Sequence, residues 1–409
     1  MSETPSTPQP RHRKRWKRLA YPVYVALVIV AFLWAADRVA GVLLPEPDFP
    51  PNGLASPPLE DKTVDYVDFT FTSSTNSMGL RDAEIPPKST HAFRIAAVGD
   101  SYVFGWGVKL EESWIKQLEK ELRARGLDVE IVNVGQPGVG PLEYVRNARA
   151  AVAQLHPDMV LVGLLRGNDL NQCSLPTPFL WLNHYLPNLM RLAFEWDDLF
   201  GDPAFVPTDR MVQTKEEHNA YLQGVAAQML GDMPPEARAR YDRLGQDIKD
   251  LYLAGKINPW MIAEAAENND CFTGVTDLED PDTRMKINAL GWFLSEIKDC
   301  AARAGASTLV LSVPNGVYDN RPLFERVQRL GYDVDPKILK TDAPDQAARM
   351  ACEAAGVPLI VVTDVFHKRF DDPTLYFEHD HHFTPKGNRF YATTIAPYVE
   401  EAVRAQMGE

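Results

Sequence analysis

The chain has 409 residues, 45% hydrophobic and 24% charged, enough for one large domain with an insertion or for two to three smaller ones. Its net charge is −14, although six cations (Arg11, Arg13, Lys14, Arg15, Lys17 and Arg18) are crowded at the start, so everything after them is more acidic still. Such a body repels phosphate backbones, which excludes nucleic acid as a partner.

The basic tail, residues 1–18, precedes an uncharged stretch from Leu19 to Ala36. At ~1.5 Å per residue that stretch nearly crosses a ~30 Å hydrocarbon core, and Val39 to Leu44 extend it past Asp37-Arg38. A single-pass transmembrane anchor is therefore expected over residues 19–44. The cations would stay in the cytoplasm, leaving the rest of the chain outside the inner (cytoplasmic) membrane, facing the periplasm or cell exterior. A cleaved signal peptide competes with this reading, but no small-x-small site precedes a suitable cleavage point. Pro-rich residues 45–58 read as an extended spacer, part of a linker and N-terminal extension reaching residue 90. Within it, Val64 to Thr72 alternates as one short edge strand would.

The apolar run Phe93–Val98 predicts a buried strand, and Gly99-Asp100-Ser101 follows at its carboxyl end. A helix (111–125), a strand (129–132), a helix (141–156) and a strand (159–165) come next. The second strand leads into Asn133-Val134-Gly135-Gln136-Pro137-Gly138 and the third into Gly167-Asn168-Asp169. This alternation predicts a parallel, doubly wound α/β sheet, with residues 91–173 as its first part. Residues 174–285 are rich in Pro, Trp and charge and show no obvious buried strand. They read as a mainly helical insertion, or cap, with a helix over 235–254. The α/β rhythm resumes over 286–409, with a helix (287–304), a strand (308–313), a helix (343–356), a strand (359–362) and a last helix (385–403). Asp380-His381-His382-Phe383-Thr384 stands just before that helix.

Strand ends are where open α/β sheets bind ligands, so these blocks converge on one place. A serine hydroxyl is a weak nucleophile until a base takes its proton. His382 is the candidate base for Ser101, and Asp380 the carboxylate that orients the ring. The Ser101 N–H, the Gly138 N–H and the Asn168 side chain are candidate oxyanion donors. Asp169 reads as support for the loop around Ser101, and Gly105-Trp106-Gly107 as turn residues packing below it. His379-Asp380-His381-His382 also invites a divalent metal. Neighbours in an extended segment face opposite ways, however, which would leave His379 and His381 exposed on the surface. Cys173, Cys271, Cys300 and Cys352 permit two disulfides in three pairings or four free thiols, and the sequence does not choose.

Serine, glycine, asparagine and histidine, each at a strand end and in that order, resemble the SGNH (GDSL-type) hydrolase family. The resemblance spans roughly Asn76 to Ala405, apart from the insertion. It implies a three-layer, flavodoxin-like α/β fold and acyl transfer through an acyl-Ser101 intermediate without a cofactor. It also selects Gly138, rather than Gly135, as the oxyanion glycine. Two positions depart from the pattern: Arg166 stands where the family often has glycine, and Asp380-x-His382 is tighter than Asp-x-x-His. Asn76-Ser77-Met78-Gly79-Leu80-Arg81 resembles an element of membrane-attached members; on its own residues it is a turn. The expected protein is an extracytoplasmic serine esterase. It would hydrolyse or transfer an acyl group on a cell-envelope glycan or a lipid ester. Two alternatives are a catalytically weak scaffold of an envelope polysaccharide-modification complex and a metal-dependent hydrolase using His379–His382.

Overall fold

The computed structural model describes residues 12–44, 57–88, 92–173, 181–182, 184–194 and 209–408, with side chains from residue 20 onward. Most of the expected Pro-rich spacer lies outside the described residues. Two compact units emerge, one formed by residues 1–45 with 176–203 and the other by 46–175 with 204–409.

The smaller unit contains the helix His12–Leu43 and the short helix Pro187–Phe194. Within the first, Ala20–Leu43 spans 24 residues and is long and apolar enough to cross a membrane. Asp37, which interrupts the apolar run, is fully buried and accepts hydrogen bonds from the Asn188 and Leu189 N–H groups at 2.8 and 3.0 Å. A carboxylate there satisfies donors that a helix start leaves open and complements its dipole. Gly41 permits the approach, since a Cβ at that position would stand 2.7 Å from the Asn188 Nδ2.

The larger unit is built on a five-stranded, all-parallel sheet. Its strands are β3 (Phe93–Gly99), β4 (Val129–Gly135), β5 (Met159–Leu165), β7 (Ser307–Val313) and β8 (Leu359–Ile360), in the order β4-β3-β5-β7-β8. Every residue of β3 and β5 is buried, as expected for strands covered on both faces. Helices Trp114–Ala124 and Pro385–Met407 pack together in one layer. Helices Pro141–Leu155, Pro281–Arg303 and Ala343–Ala355 pack together in another. The chain runs from β3 outward to β4, then crosses back to β5, so right-handed crossovers put the two groups on opposite faces. The strand order reverses beside β3, and a crevice opens there at the carboxyl ends.

A second sheet lies before the core in sequence. β1 (Glu60–Asp65) and β2 (Thr70–Ser74) form an antiparallel hairpin, and β6 (Met211–Gln213) pairs parallel with β1. The single strand expected over Val64–Thr72 is thus two strands around a turn, because the apolar alternation runs straight through the bend. The three-residue β6 is also a strand inside the segment read as helical, and its exposed Met211 and Val212 give no core signal.

The other described elements between residues 174 and 280 are helices, among them Lys215–Asp232 and Pro259–Glu267. The Thr214 hydroxyl and the Glu217 carboxylate cap the first of these reciprocally. The helix expected over 235–254 is two, Pro235–Asp242 and Gln246–Leu253, divided at Gly245. Helix Pro281–Arg303 begins earlier than its hydrophobic pattern, where Asp280 caps the Thr283 N–H.

Candidate active site

The turn after β3 is closely packed. A Cβ on Gly99 would lie 2.8 Å from the Gly163 carbonyl, and one on Gly135 only 2.2 Å from the Phe104 nitrogen. Glycine at both positions lets the short helix Ser101–Phe104 sit directly on the sheet edge. Asp100 caps that helix, its Oδ1 accepting from the Tyr102 N–H at 2.9 Å. Ser101, half-buried, is the first helical residue.

From 280 residues further along the chain, the loop before helix Pro385–Met407 brings His382 to this point. Its Nε2 is 2.7 Å from the Ser101 Oγ. Its Nδ1 is bound to Asp380 Oδ1, which also accepts the His382 backbone N–H at 2.9 Å. The ring is thereby fixed from two sides, and Asp380 and His382 are both buried. Burial alone would raise the Asp380 carboxyl, but His382 beside it holds the group below its ordinary range.

His381 turns elsewhere. Its ring stacks on Tyr102 at 6.2 Å, and its carbonyl accepts the Tyr102 hydroxyl at 2.6 Å. Burial and the neighbouring His382 push it down to about 4, so it is neutral at pH 7. It lines the cavity beside Ser101, contrary to the surface position expected for it. His379 is half-buried as well, its Nδ1 2.8 Å from the Asp68 Oδ1 in the hairpin turn. His379 and His382 thus face different partners, which does not make a common ligand set.

The remaining predicted donors meet at the same cavity, of about 670 Å³, whose lining includes Ser101, Gly138, Asn168 and His382. Gly138 has a φ of +76° and nothing within 4 Å of where a Cβ would stand, so its backbone faces open space. Asn168 begins the helix Asn168–Asn171 after Gly167, at whose φ of +78° a Cβ would stand 2.6 Å from the Tyr318 hydroxyl. Asp169 is fully buried and accepts from the Leu165 N–H at 2.8 Å and the Tyr144 hydroxyl at 3.0 Å. It anchors the loop that carries Asn168. Burial, then Asp100 nearby, keep its carboxyl well above the ordinary range, while burial raises Asp100 to about 6.

Arg166, the departure from glycine, points away into a buried ion cluster. It pairs with Asp319, lies 3.2 Å from Asp345 and donates to the Thr341 carbonyl at 3.1 Å. All four cysteines are free thiols; the Cys173 Sγ reaches the Asp169 carbonyl at 3.2 Å.

Other walls of the cavity come from residues that sequence reasoning left aside. Lys62, Val64, Tyr66 and Ser73 reach it from the hairpin, and His218, Tyr221, Trp260 and Met261 from the insertion. Trp106 belongs to the same wall rather than packing below the serine. Its ring is 6.4 Å from that of His382, 6.3 Å from Tyr66 and 5.4 Å from Phe71. The only sequence signal for the hairpin's part was the alternation over Val64–Thr72, and His218 gave none. Asn76–Arg81 is indeed a turn, with Asn76 Oδ1 accepting the Met78 and Leu80 N–H groups, each at 3.0 Å. It nevertheless delivers the buried Arg81 to the carbonyls of Phe104, Gly105 and Val108, the loop that follows Ser101.

No family model and no curated protein matches the chain. Solved structures similar to it include that of TesA, with 12% identity and a TM-score of 0.35, covering 74% of this chain and 96% of that one. The acetyl xylan esterase AlAXEase shares 10% identity at a TM-score of 0.35, covering 75% and 99%. The psychrotrophic esterase EstA from Pseudoalteromonas sp. shares 11% at 0.34, covering 76% and 99%. Ser101, Gly138, Asn168 and His382 thus line one cavity at the carboxyl ends of the parallel strands.

Proposed function

We propose that this chain is a membrane-anchored serine esterase that hydrolyses or transfers an acyl group through an acyl-Ser101 intermediate. One observation carries the reading: Asp380, His382 and Ser101 are hydrogen-bonded in line at the mouth of a cavity large enough for a substrate. His382 takes the Ser101 proton as Oγ attacks the ester carbonyl, and Asp380 stabilises the imidazolium that results. The Ser101 and Gly138 N–H groups and the Asn168 amide receive the negative oxygen. The imidazolium then protonates the departing alcohol. Water, or a second hydroxyl compound, then gives its proton to His382 as its oxygen attacks the acyl carbonyl; the bond to Ser101 Oγ breaks, the acid or new ester leaves, and the imidazolium protonates Ser101. No step calls for a cofactor. Asp169, Arg166 and Arg81 position the loops and do not touch the reacting atoms.

The apolar helix Ala20–Leu43 supports an anchor, and the cations before it favour a body on the outer side of the cytoplasmic membrane, with acylated glycans or lipids as the esters acted on. A fluorophosphonate should add its mass to the peptide containing Ser101 and to no peptide of Ser101→Ala. Full activity of a protein that takes up no label would overturn the serine mechanism. A reporter that works only after export, fused at the carboxyl end, should be active, whereas a silent fusion beside active protein would reverse the topology.

A further inference from the structure

We propose that the cavity wall made by the hairpin and the insertion is a subsite for the alcohol half of the ester, built on Ser73, Trp106 and His218. Its chemistry fits a hydroxyl-rich ring, that is a sugar, and not an aliphatic or lipid alcohol. This rests on the esterase reading and names the substrate half which that reading leaves open.

The starting point is an unusual concentration of unpaired polar atoms. Ser73 and His218 are each 3% exposed. The Ser73 Oγ, the Trp106 Nε1 and both ring nitrogens of His218 have no hydrogen-bond partner among the described residues. Buried polar groups are nearly always paired, and those left open in a folded chain point to a partner that is absent. All three residues line the cavity that holds Ser101 and His382.

The wall is assembled by the fold rather than by chance proximity. Lys62 and Ser73 are direct partners across β1 and β2, as are Val64 and Phe71. Side chains two apart on a strand share a face, so Lys62, Val64 and Tyr66 look the same way, into the cavity. Helix Lys215–Asp232 packs on β1 and brings His218 and Tyr221 there. Trp106, with its ring 6.4 Å from His382, joins this wall to the reacting centre.

The chemistry of these groups selects the ligand. An imidazole held neutral donates from one nitrogen and accepts at the other, a hydroxyl does both, and an indole N–H donates. Burial, reinforced by Lys62, pushes His218 down to about 4, so the ring is neutral at pH 7. Neighbouring hydroxyls on a sugar ring offer the same donor and acceptor pairs. Tyr66, Trp106, Tyr221 and Trp260 supply flat apolar faces for the ring's carbon skeleton. A methylene chain in the same place would displace water and leave every one of these atoms unpaired. Sites built to bind a substrate hydroxyl discriminate strongly against its apolar analogue for that reason.

The test keeps the acyl group constant and varies the alcohol. The full chain in detergent is assayed with methyl 6-O-acetylglucoside and with hexyl acetate. The expected kcat/KM favours the sugar ester by about 100-fold or more. His218→Leu should cut that preference by about tenfold or more, with the loss falling on the sugar ester. His218→Gln, which still donates and accepts, should keep most of it, and Ser73→Ala should lose part. Wild-type preference for hexyl acetate, or a loss in His218→Leu shared equally by both esters, would overturn the subsite. So would Ser101-dependent turnover of p-nitrophenyl acetate without any of the sugar ester. Absence of Ser101-dependent turnover on all three esters would instead strike the esterase reading itself.

Discussion

Ser101→Ala should lower kcat on p-nitrophenyl acetate by about 10⁵-fold or more, because Ser101 carries the hydroxyl that His382 activates. His382→Ala should cost about as much, and the double variant no more than either alone. Nucleophile and base act as a unit, so removing the second member takes away nothing further. The 2.7 Å contact between His382 Nε2 and Ser101 Oγ is what ties the two effects together. Asp380→Asn should cost about 10⁴-fold, since an amide no longer stabilises the imidazolium or selects its tautomer. His381→Ala, whose ring stacks on Tyr102 and has no bond to Ser101, should be mild. Circular dichroism and initial rates on the five variants decide the matter. A Ser101→Ala protein as active as wild type would end the serine hydrolase reading. A dead His381→Ala beside an active His382→Ala would move the base by one residue.

The parts of this site that were legible in sequence share a physical cause. β3 and β5 are buried on both faces, so they read as near-continuous apolar runs, and the glycines at Gly99 and Gly167 mark turns where a Cβ would clash. Asp380 and His382, two apart in an extended segment, share a face by period alone. That parity separated His382 from His381 without sight of the fold. It failed for the remainder of His379 and His381. Exposure depends on what packs against the segment, and Asp68 and Tyr102 come from far away in the chain.

The substrate wall was illegible for the same reason. Ser73 looks like an ordinary strand residue and His218 like a polar residue on a charged helix. Only the pairing of β1 with β2 and β6 sets them beside Trp106. Gly245 splits the helix expected over 235–254, because its backbone leaves the helical region there (φ −56°, ψ 147°) and serves as the residue before the second helix. Arg166 reads as an anomaly in the third block until Asp319 and Asp345 arrive from the second half of the sheet. In each case local pattern located an element, and tertiary packing decided what its side chains do.

Arg81 is where the two levels meet, and its removal should cost both stability and rate. Its guanidinium is 1% exposed, and burial lowers it to about 10, which still leaves it charged at pH 7. It donates to the carbonyls of Phe104, Gly105 and Val108 at 2.8, 2.5 and 2.5 Å. Its flat face lies 5.0 Å from the Phe71 ring and 4.9 Å from that of Phe104. Arg81→Met keeps much of the apolar stem but strips the Val108 carbonyl of its donor, and leaves the Phe104 carbonyl with Asn133 at 3.3 Å and the Gly105 carbonyl with the Val108 N–H at 3.5 Å. At about 1–3 kcal/mol for the stranded group and about 0.5–1.5 kcal/mol for each of the other two lost bonds, the expected loss is about 2–5 kcal/mol. Arg81→Lys should recover only part of it, because an ammonium cannot match the planar fork that reaches three acceptors. The loop so released carries Trp106 and follows Ser101, so Arg81→Lys, if folded, should lower kcat more than it raises KM. That split separates a positioning residue from one that only stabilises the fold. Chemical denaturation followed by tryptophan fluorescence measures the first effect and steady-state kinetics the second. A loss below about 1 kcal/mol in Arg81→Met with unchanged kcat would show that the loop holds its shape without the guanidinium.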